Sequence, residues 1–307
     1  MMRRRSSRPS SSGTPGTALW TSFQIPGGLL HGLFFVVPLL LVVVFSFGTV
    51  GLLGQPEIGF SLQNYESVFQ PYNLAPLWRT VEFTVIATII CLLLGYPVAY
   101  LLARYAKRWA PIILGAVVFS WLVDYLVRIY AWQTILAPEG LLQRLLDVVG
   151  LSLPHVLNTN FAVITGLVYG YLPLMILPIY AAVGQLNPEV IEAGKDLYGS
   201  PRATFLHVTL PLTRDGVIGG VMLVALPMLG DFATAQFLGG ANSTMIGNLI
   251  NDQFTAAGSQ TVGSALVVVL IGLLVGLLFV ASRIRGRRVR ESAVVSLPLD
   301  ELSVDPA

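Results

Sequence analysis

Six apolar segments, at about residues 28–48, 80–103, 110–132, 162–184, 215–238 and 262–283, limit what this 307-residue chain can fold into. A hydrocarbon core of ~30 Å takes about 20 apolar residues in a helix, so each segment is about long enough to cross it. Lipid supplies no hydrogen-bond partners, and the crossings must therefore be helices. Composition agrees, with 54% hydrophobic and 11% charged residues, against about 25% charged in an ordinary soluble domain. The expected fold class is an all-α integral membrane protein with six transmembrane helices in the lipid bilayer. A net charge of +2 argues for no nucleic-acid partner.

The segments leave three divisions: a basic, disordered tail over residues 1–27, a membrane domain over 28–285 and a tail over 286–307. Arg3, Arg4, Arg5 and Arg8 open the first tail, which reads as a tail and not as a cleaved leader. Arg104, Lys107, Arg108, Lys195, Arg202, Arg214 and the arginines after span six fall on the same side of the bilayer as that tail. Only Arg79 and Arg144 lie across. By the positive-inside rule both termini and the loop holding residues 185–213 are expected in the cytoplasm. On the far side, short helices are expected at Gln63 to Phe69 and Leu141 to Val149. They form either a ledge for an external partner or plain interfacial connectors.

The loop from Asn187 to Pro211 is the one long polar segment between two spans, and it carries helix punctuation twice. Pro188 suits a first helical turn, with Glu189 and Glu192 at the positive helix end. Gly199 can take the left-handed conformation that closes this helix; Ser200 and Pro201 then start a second one. Thr209-Leu210-Pro211 is expected to end it, because the residue before a proline is pushed out of the α region. Val190, Ala193, Gly194 and Leu197 share one expected face of the first helix. Phe205, Val208 and Leu212 form a stripe on the second. A helical hairpin with small, partly apolar faces at a membrane surface is a docking element.

Charged side chains inside spans are costly and so draw functional hypotheses. Asp124 and Arg128 have the spacing of an intrahelical ion pair, with Trp121, Tyr125, Tyr130 and Trp132 around them. They line a translocation cavity or form an interfacial belt with a neutralised pair. Asp231 lies in Leu226-Pro227-Met228-Leu229-Gly230-Asp231-Phe232, where proline and glycine loosen the helix. Its carboxylate attracts a cationic substrate, caps a helix or pairs with a neighbouring subunit. Glu82 reads as an interfacial charge and Cys91 as a small buried residue. His31, His155 and His207 are scattered without carboxylate or thiol ligands nearby, so no metal site and no histidine catalysis are expected. No glycine-rich phosphate loop is present in the sequence, which excludes ATP hydrolysis by this chain through such a loop.

Glu192-Ala193-Gly194, Gly199 five residues on, Phe205 and Leu210-Pro211 together resemble the EAA loop of bacterial ABC-importer permeases, with Gly194 where alanine is usual. The resemblance implies the type I ABC importer permease fold with cytoplasmic coupling helices. It gives the coupling role to Glu192, Ala193, Gly194, Asp196, Gly199, Ser200, Phe205, Leu210 and Pro211. Val127-Arg128-Ile129-Tyr130-Ala131-Trp132, Ile135-Leu136 to Gly140-Leu141-Leu142, Leu229-Gly230-Asp231-Phe232 with Gly239-Gly240, and Met245-Ile246-Gly247-Asn248-Leu249-Ile250 look like the permease branch serving polyamines, with relatives for ferric iron and aminoethylphosphonate. What this implies is half of a channel in a bacterial inner membrane. A second permease pairs with it, an ATPase dimer lies below, and a substrate-binding protein lies outside. ATP and magnesium belong to the ATPase; no cofactor is expected on this chain, which is not expected to be an enzyme. A secondary transporter would more often show ten or more spans with inverted repeats, and a channel would need a filter loop or charged ring. Neither is evident.

Overall fold

The computed structural model describes residues 16–51, 55–148, 150, 156–255 and 259–295. Helix α1 (Gly16–Ser46) is followed by two short antiparallel strands, β1 (Thr49–Val50) and β2 (Pro56–Glu57). Helix α2 (Gln63–Val68) then leads into α3 (Pro71–Arg104), with α4 (Ala110–Leu122), α5 (Tyr125–Leu136) and α6 (Leu141–Val148) after it. The next crossing is α7 (Asn160–Gly184). The loop region holds α8 (Pro188–Tyr198), α9 (Pro201–Thr204), a π turn (Phe205–Thr209) and α10 (Leu210–Leu212). Helices α11 (Arg214–Leu229), α12 (Ala233–Leu238), α13 (Ile246–Thr255) and α14 (Gln260–Val295) complete the described chain.

Helices α3, α7 and α11 pack against one another as the centre of the molecule. Met175 of α7 sits where a β-carbon on Gly95 of α3 or on Gly220 of α11 would come within 3.1 and 2.8 Å of its side chain. Small residues let three backbones approach, which is how membrane helices gain packing without a hydrophobic driving force. Cys91 is fully buried in this core. Helix α1 packs along α14 at the periphery. At the end away from the loop, Arg79 Nη1 donates to Thr244 O and Oγ1, both at 3.2 Å. Thr80 Oγ1 accepts from Ile246 N at 2.7 Å and so ties α13 to the start of α3.

Among the described residues four helices are long and apolar enough to cross a membrane alone, and six crossings are reached when two bent pairs, α4 with Tyr125–Val148 and the loop helices Pro201–Leu212 with α11, each make one. The third crossing departs most from the expected continuous helix. It breaks between α4 and α5 with a bend of 91°. Asp124 is the cause: its carboxylate accepts from Leu126 N at 3.0 Å and Val127 N at 3.3 Å and so starts a new helix. Short acids compete with helical backbone bonding in this way. The fifth crossing, expected over 215–238, stops at Leu229 and resumes at Ala233. Sixteen residues span only about 24 Å, short of a hydrocarbon core of ~30 Å.

The short helices expected outside the spans are present as α2 and α6, residue 149 lying outside the described residues. Helix α3 starts nine residues before the expected span, because Pro71 sits in its first turn. Helix α1 begins at Gly16, inside the expected first tail, and α14 runs to Val295, ten residues into the expected second tail. Residues 1–15, His155 and 296–307 lie outside the described residues.

Candidate functional site

The chain between α7 and α11 folds as an elbow whose punctuation is local. Asn187 Oδ1 caps α8 by accepting from Glu189 N at 3.0 Å, with Pro188 in the first turn. Gly199 then takes φ +65°, and its N–H bonds Lys195 O at 2.8 Å. No atom lies within 4 Å of where a β-carbon on Gly199 would sit, so glycine is needed there for its left-handed backbone and not for space. Ser200 Oγ accepts from Ala203 N at 3.2 Å and caps α9.

Beyond that point the structure departs from the expected stop at Pro211. Leu210 keeps helical angles, φ −63° and ψ −44°, and the helix continues to Leu212 before Thr213 turns the chain by 65° into α11. The π turn over Phe205–Thr209 explains this: a turn with one extra residue relieves the crowding between a proline ring and the carbonyl four residues back. It also changes which residues face inward. Thr204, Thr209 and Thr213, five and then four residues apart, are all buried. The expected stripe is split, with Phe205 and Val208 half-buried and Leu212 exposed.

The elbow is fastened to the core through α3. Phe205 meets Tyr96 and Tyr100 edge-on, at 5.4 and 5.9 Å between ring centroids. The Tyr96 and Thr213 hydroxyls bond at 2.9 Å, and Thr213 Oγ1 also donates to Thr209 O at 2.9 Å. Arg104 Nη2 donates to Leu186 O at 3.2 Å. Within the elbow, a β-carbon on Gly194 would come 3.0 Å from Val208 Cγ2 and 3.1 Å from Thr204 Cγ2. The two helices therefore touch at glycine.

The apolar face expected on α8 proves to be two faces. Ile191 and Gly194 point inward, whereas Val190, Ala193 and Leu197 are exposed, Leu197 by 77%. Spacings of three and four along a helix leave this second row as an unbroken stripe on the outside. Glu192 and Asp196 flank it and are exposed; Leu210 is at the boundary, 37% exposed. Pro211 is half-buried.

At the opposite end, Asp231 is only 6% exposed. Its Oδ2 accepts from the Tyr125 hydroxyl, from Tyr171 Oη at 3.2 Å and from Thr234 Oγ1 at 2.8 Å. Its Oδ1 accepts from Thr234 N at 3.0 Å. Of the alternatives open in the sequence, helix capping is the one the geometry displays, with α5 and α7 fastened to the break. Asn248 supports the same break, donating to Phe232 O at 2.8 Å and Gln236 Oε1 at 3.0 Å. The ion pair expected between Asp124 and Arg128 does not form, because the acid is spent on capping. Arg128 instead lies over the Tyr125 ring, 5.6 Å from its centroid. Thus Tyr125, Arg128 and Asp231 come together, while Asp124 and Trp121 stay exposed beside them. Tyr171 and Thr234 were not singled out in the sequence, and Asn248 only as part of the stretch Met245 to Ile250. A hydroxyl-bearing Tyr171 within an apolar span was the available signal.

Comparison with known proteins places this geometry in context. Residues 95–290 match the model of a family described as "Binding-protein-dependent transport system inner membrane component". The chain is 38% identical over 261 residues to the spermidine/putrescine transport system permease protein PotB of Haemophilus influenzae, covering 83% of this chain and 91% of that one. It is 34% identical to the protein of the same name in Escherichia coli, covering 84% and 95%. Among solved structures, a bacterial ABC transporter involved in the import of the acidic polysaccharide alginate superposes with a TM-score of 0.71 at 14% identity, over 88% of this chain and 96% of that one.

Proposed function

This chain belongs to the inner membrane components of binding-protein-dependent transport systems, with the type I ABC importer permease fold, and from that premise we propose that it forms half of an ATP-driven passage for polyamines. The observation that carries the reading is the elbow. Two capped helices joined at a left-handed glycine present Val190, Ala193 and Leu197 to the outside. The same elbow is bonded to α3 through Phe205, Tyr96 and Thr213. A partner ATPase gripping that stripe moves α3 and α11 together, since both meet at the Tyr96–Thr213 bond. Glu192 and Asp196 border the grip, and Gly199 with Ser200 sets its angle.

The rest of the assembly follows from the family. A second permease completes the passage, a dimeric ATPase binds and hydrolyses ATP with magnesium, and an external binding protein delivers the cargo. Both termini and the elbow lie in the cytoplasm, on the side where the basic residues gather. Polyamine cargo is supported by the names of the relatives and by the charge at the outer break. The groups bonded to Asp231 are hydroxyls and an amide, and with the exposed Asp124 it sets two carboxylates against the one guanidinium of Arg128. A negative potential beside the passage favours a chain of ammonium groups.

The test is uptake by proteoliposomes holding this chain with its second permease, ATPase and binding protein. ATP-dependent entry of labelled spermidine or putrescine is expected, in preference to ferric iron or aminoethylphosphonate. Entry of one of the latter alone would overturn the cargo but leave the permease role standing. Labelling of cysteines placed at Lys195 and Arg202 from the outside of intact cells would overturn the orientation.

A further inference from the structure

A cleft of about 210 Å³ opens between the end of α3 and the elbow, apart from the exposed stripe. Arg104, Lys195, Glu192, Tyr100 and Tyr105 line it. Arg104 spends Nη2 on Leu186 O, and its Nε is buried with no acceptor among the described residues. That Nε has no surface open to the cleft, so what the cleft is offered is the rest of the guanidinium, whose N–H groups pair best with anionic oxygens.

The position of the cleft narrows the choice of anion. Arg104 is the last residue of a membrane-spanning helix, and Tyr100 lies one turn inside it, so the cleft straddles the boundary between hydrocarbon and water. Leu94 and Leu101, seven residues apart on the same span, are exposed. Tyr105, which lines the cleft, is exposed, as aromatic side chains are at headgroup level. Two cations against one carboxylate leave the cleft with a single net positive charge.

We infer that this cleft binds the phosphodiester of a monoanionic membrane phospholipid of the phosphatidylglycerol kind. The phosphate oxygens accept from Arg104 and Lys195, the acyl chains run along Leu94 and Leu101, and the headgroup hydroxyls donate to Glu192. Basic pockets between membrane helices on the cytoplasmic face bind anionic headgroups by this combination of charge and depth. Because the lipid bridges α3 and α8, it steadies the joint between elbow and core.

Native mass spectrometry of the full chain, released from nanodiscs of equal phosphatidylglycerol and phosphatidylcholine, tests this without requiring transport. The expected result is retained phosphatidylglycerol, reduced about fivefold by Lys195→Gln and at least as much by Arg104→Gln. Arg202→Gln, outside the cleft, should leave retention unchanged. Lys195 is exposed, so its variant reports even where Arg104→Gln fails to fold. Equal retention of the two lipids, or full retention by Lys195→Gln, would overturn the proposal. Displacement of the lipid by millimolar inorganic phosphate at the same affinity would overturn it in favour of a free anion. Loss of ATPase capture by Lys195→Gln with lipid retention intact would overturn it in favour of an acidic protein partner. Failure of polyamine uptake bears on none of these outcomes.

Discussion

The elbow and the outer break are both interruptions of helix at the ends of α11, yet they are built by opposite means. At the elbow, Asn187, Gly199 and Ser200 each act on backbone groups within four residues of themselves. At the outer break, Asp231 gathers Tyr125 from 106 residues away and Tyr171 from 60. A joint made of local bonds keeps its shape while it moves as a body. A joint made of distant bonds holds only while the helices supplying them stay in register. The difference makes the elbow's own bend independent of the spans, although Phe205 and Thr213 still fasten it to α3, and makes the break sensitive to their rearrangement.

The largest expected effect breaks the second kind of joint. Asp231→Ala removes the buried acceptor shared by the Tyr125, Tyr171 and Thr234 hydroxyls and the Thr234 N–H, leaving Tyr125 only its bond to Thr234, and hydrogen bonds to a charged group are each worth about 1.5–3 kcal/mol. A loss of about 3 kcal/mol or more in folding stability is expected, read from denaturant unfolding of the purified chain in detergent. A loss below about 1 kcal/mol would make the break as local as the elbow. Next comes Gly199→Val, which forces a β-branched residue into a left-handed conformation at a cost of about 1–3 kcal/mol. Here insertion into the membrane should be normal, while transport-linked ATP hydrolysis by the assembled complex falls; undiminished coupling would show that the elbow angle is irrelevant. The smallest effect sharpens the comparison. A double-mutant cycle of Asp124→Asn and Arg128→Gln should give a coupling below about 0.3 kcal/mol, because the acid caps α5 and the base lies on Tyr125. A coupling near 1 kcal/mol would restore the ion pair.

Legibility in the sequence followed the same division. The cap at Ser200 and the left-handed Gly199 could be placed from residue type, since each answers to its immediate neighbours, whereas the cap at Asn187 was not read from it. Phe205 was found too, but not its seat between Tyr96 and Tyr100. The π turn was missed because a rule about the residue before proline presumes an α-helix, and the extra residue of the π turn removes the clash. The α8 face was misread for a related reason. Residues at i, i+3, i+4 and i+7 share a broad face, and only the position of Val208 and Thr204 shows that Gly194 points inward while Val190 and Leu197 point out. Asp124 was read as an ion-pair partner because four-residue spacing carries that meaning inside a continuous helix.

By itself the sequence determined that the chain spans a membrane, where its apolar segments lie, and that a twice-punctuated hairpin separates two of them. Hydrophobic length and capping chemistry act over one helix or a few residues, so they need no knowledge of neighbours. The tertiary structure alone decided that two crossings are broken, that Asp231 is enclosed by Tyr125, Tyr171 and Thr234, and that the elbow hangs from α3 through Phe205 and Thr213. Those outcomes depend on which distant donor reaches a polar group first, and in a low-dielectric interior an unmet polar group is costly enough to redirect the backbone.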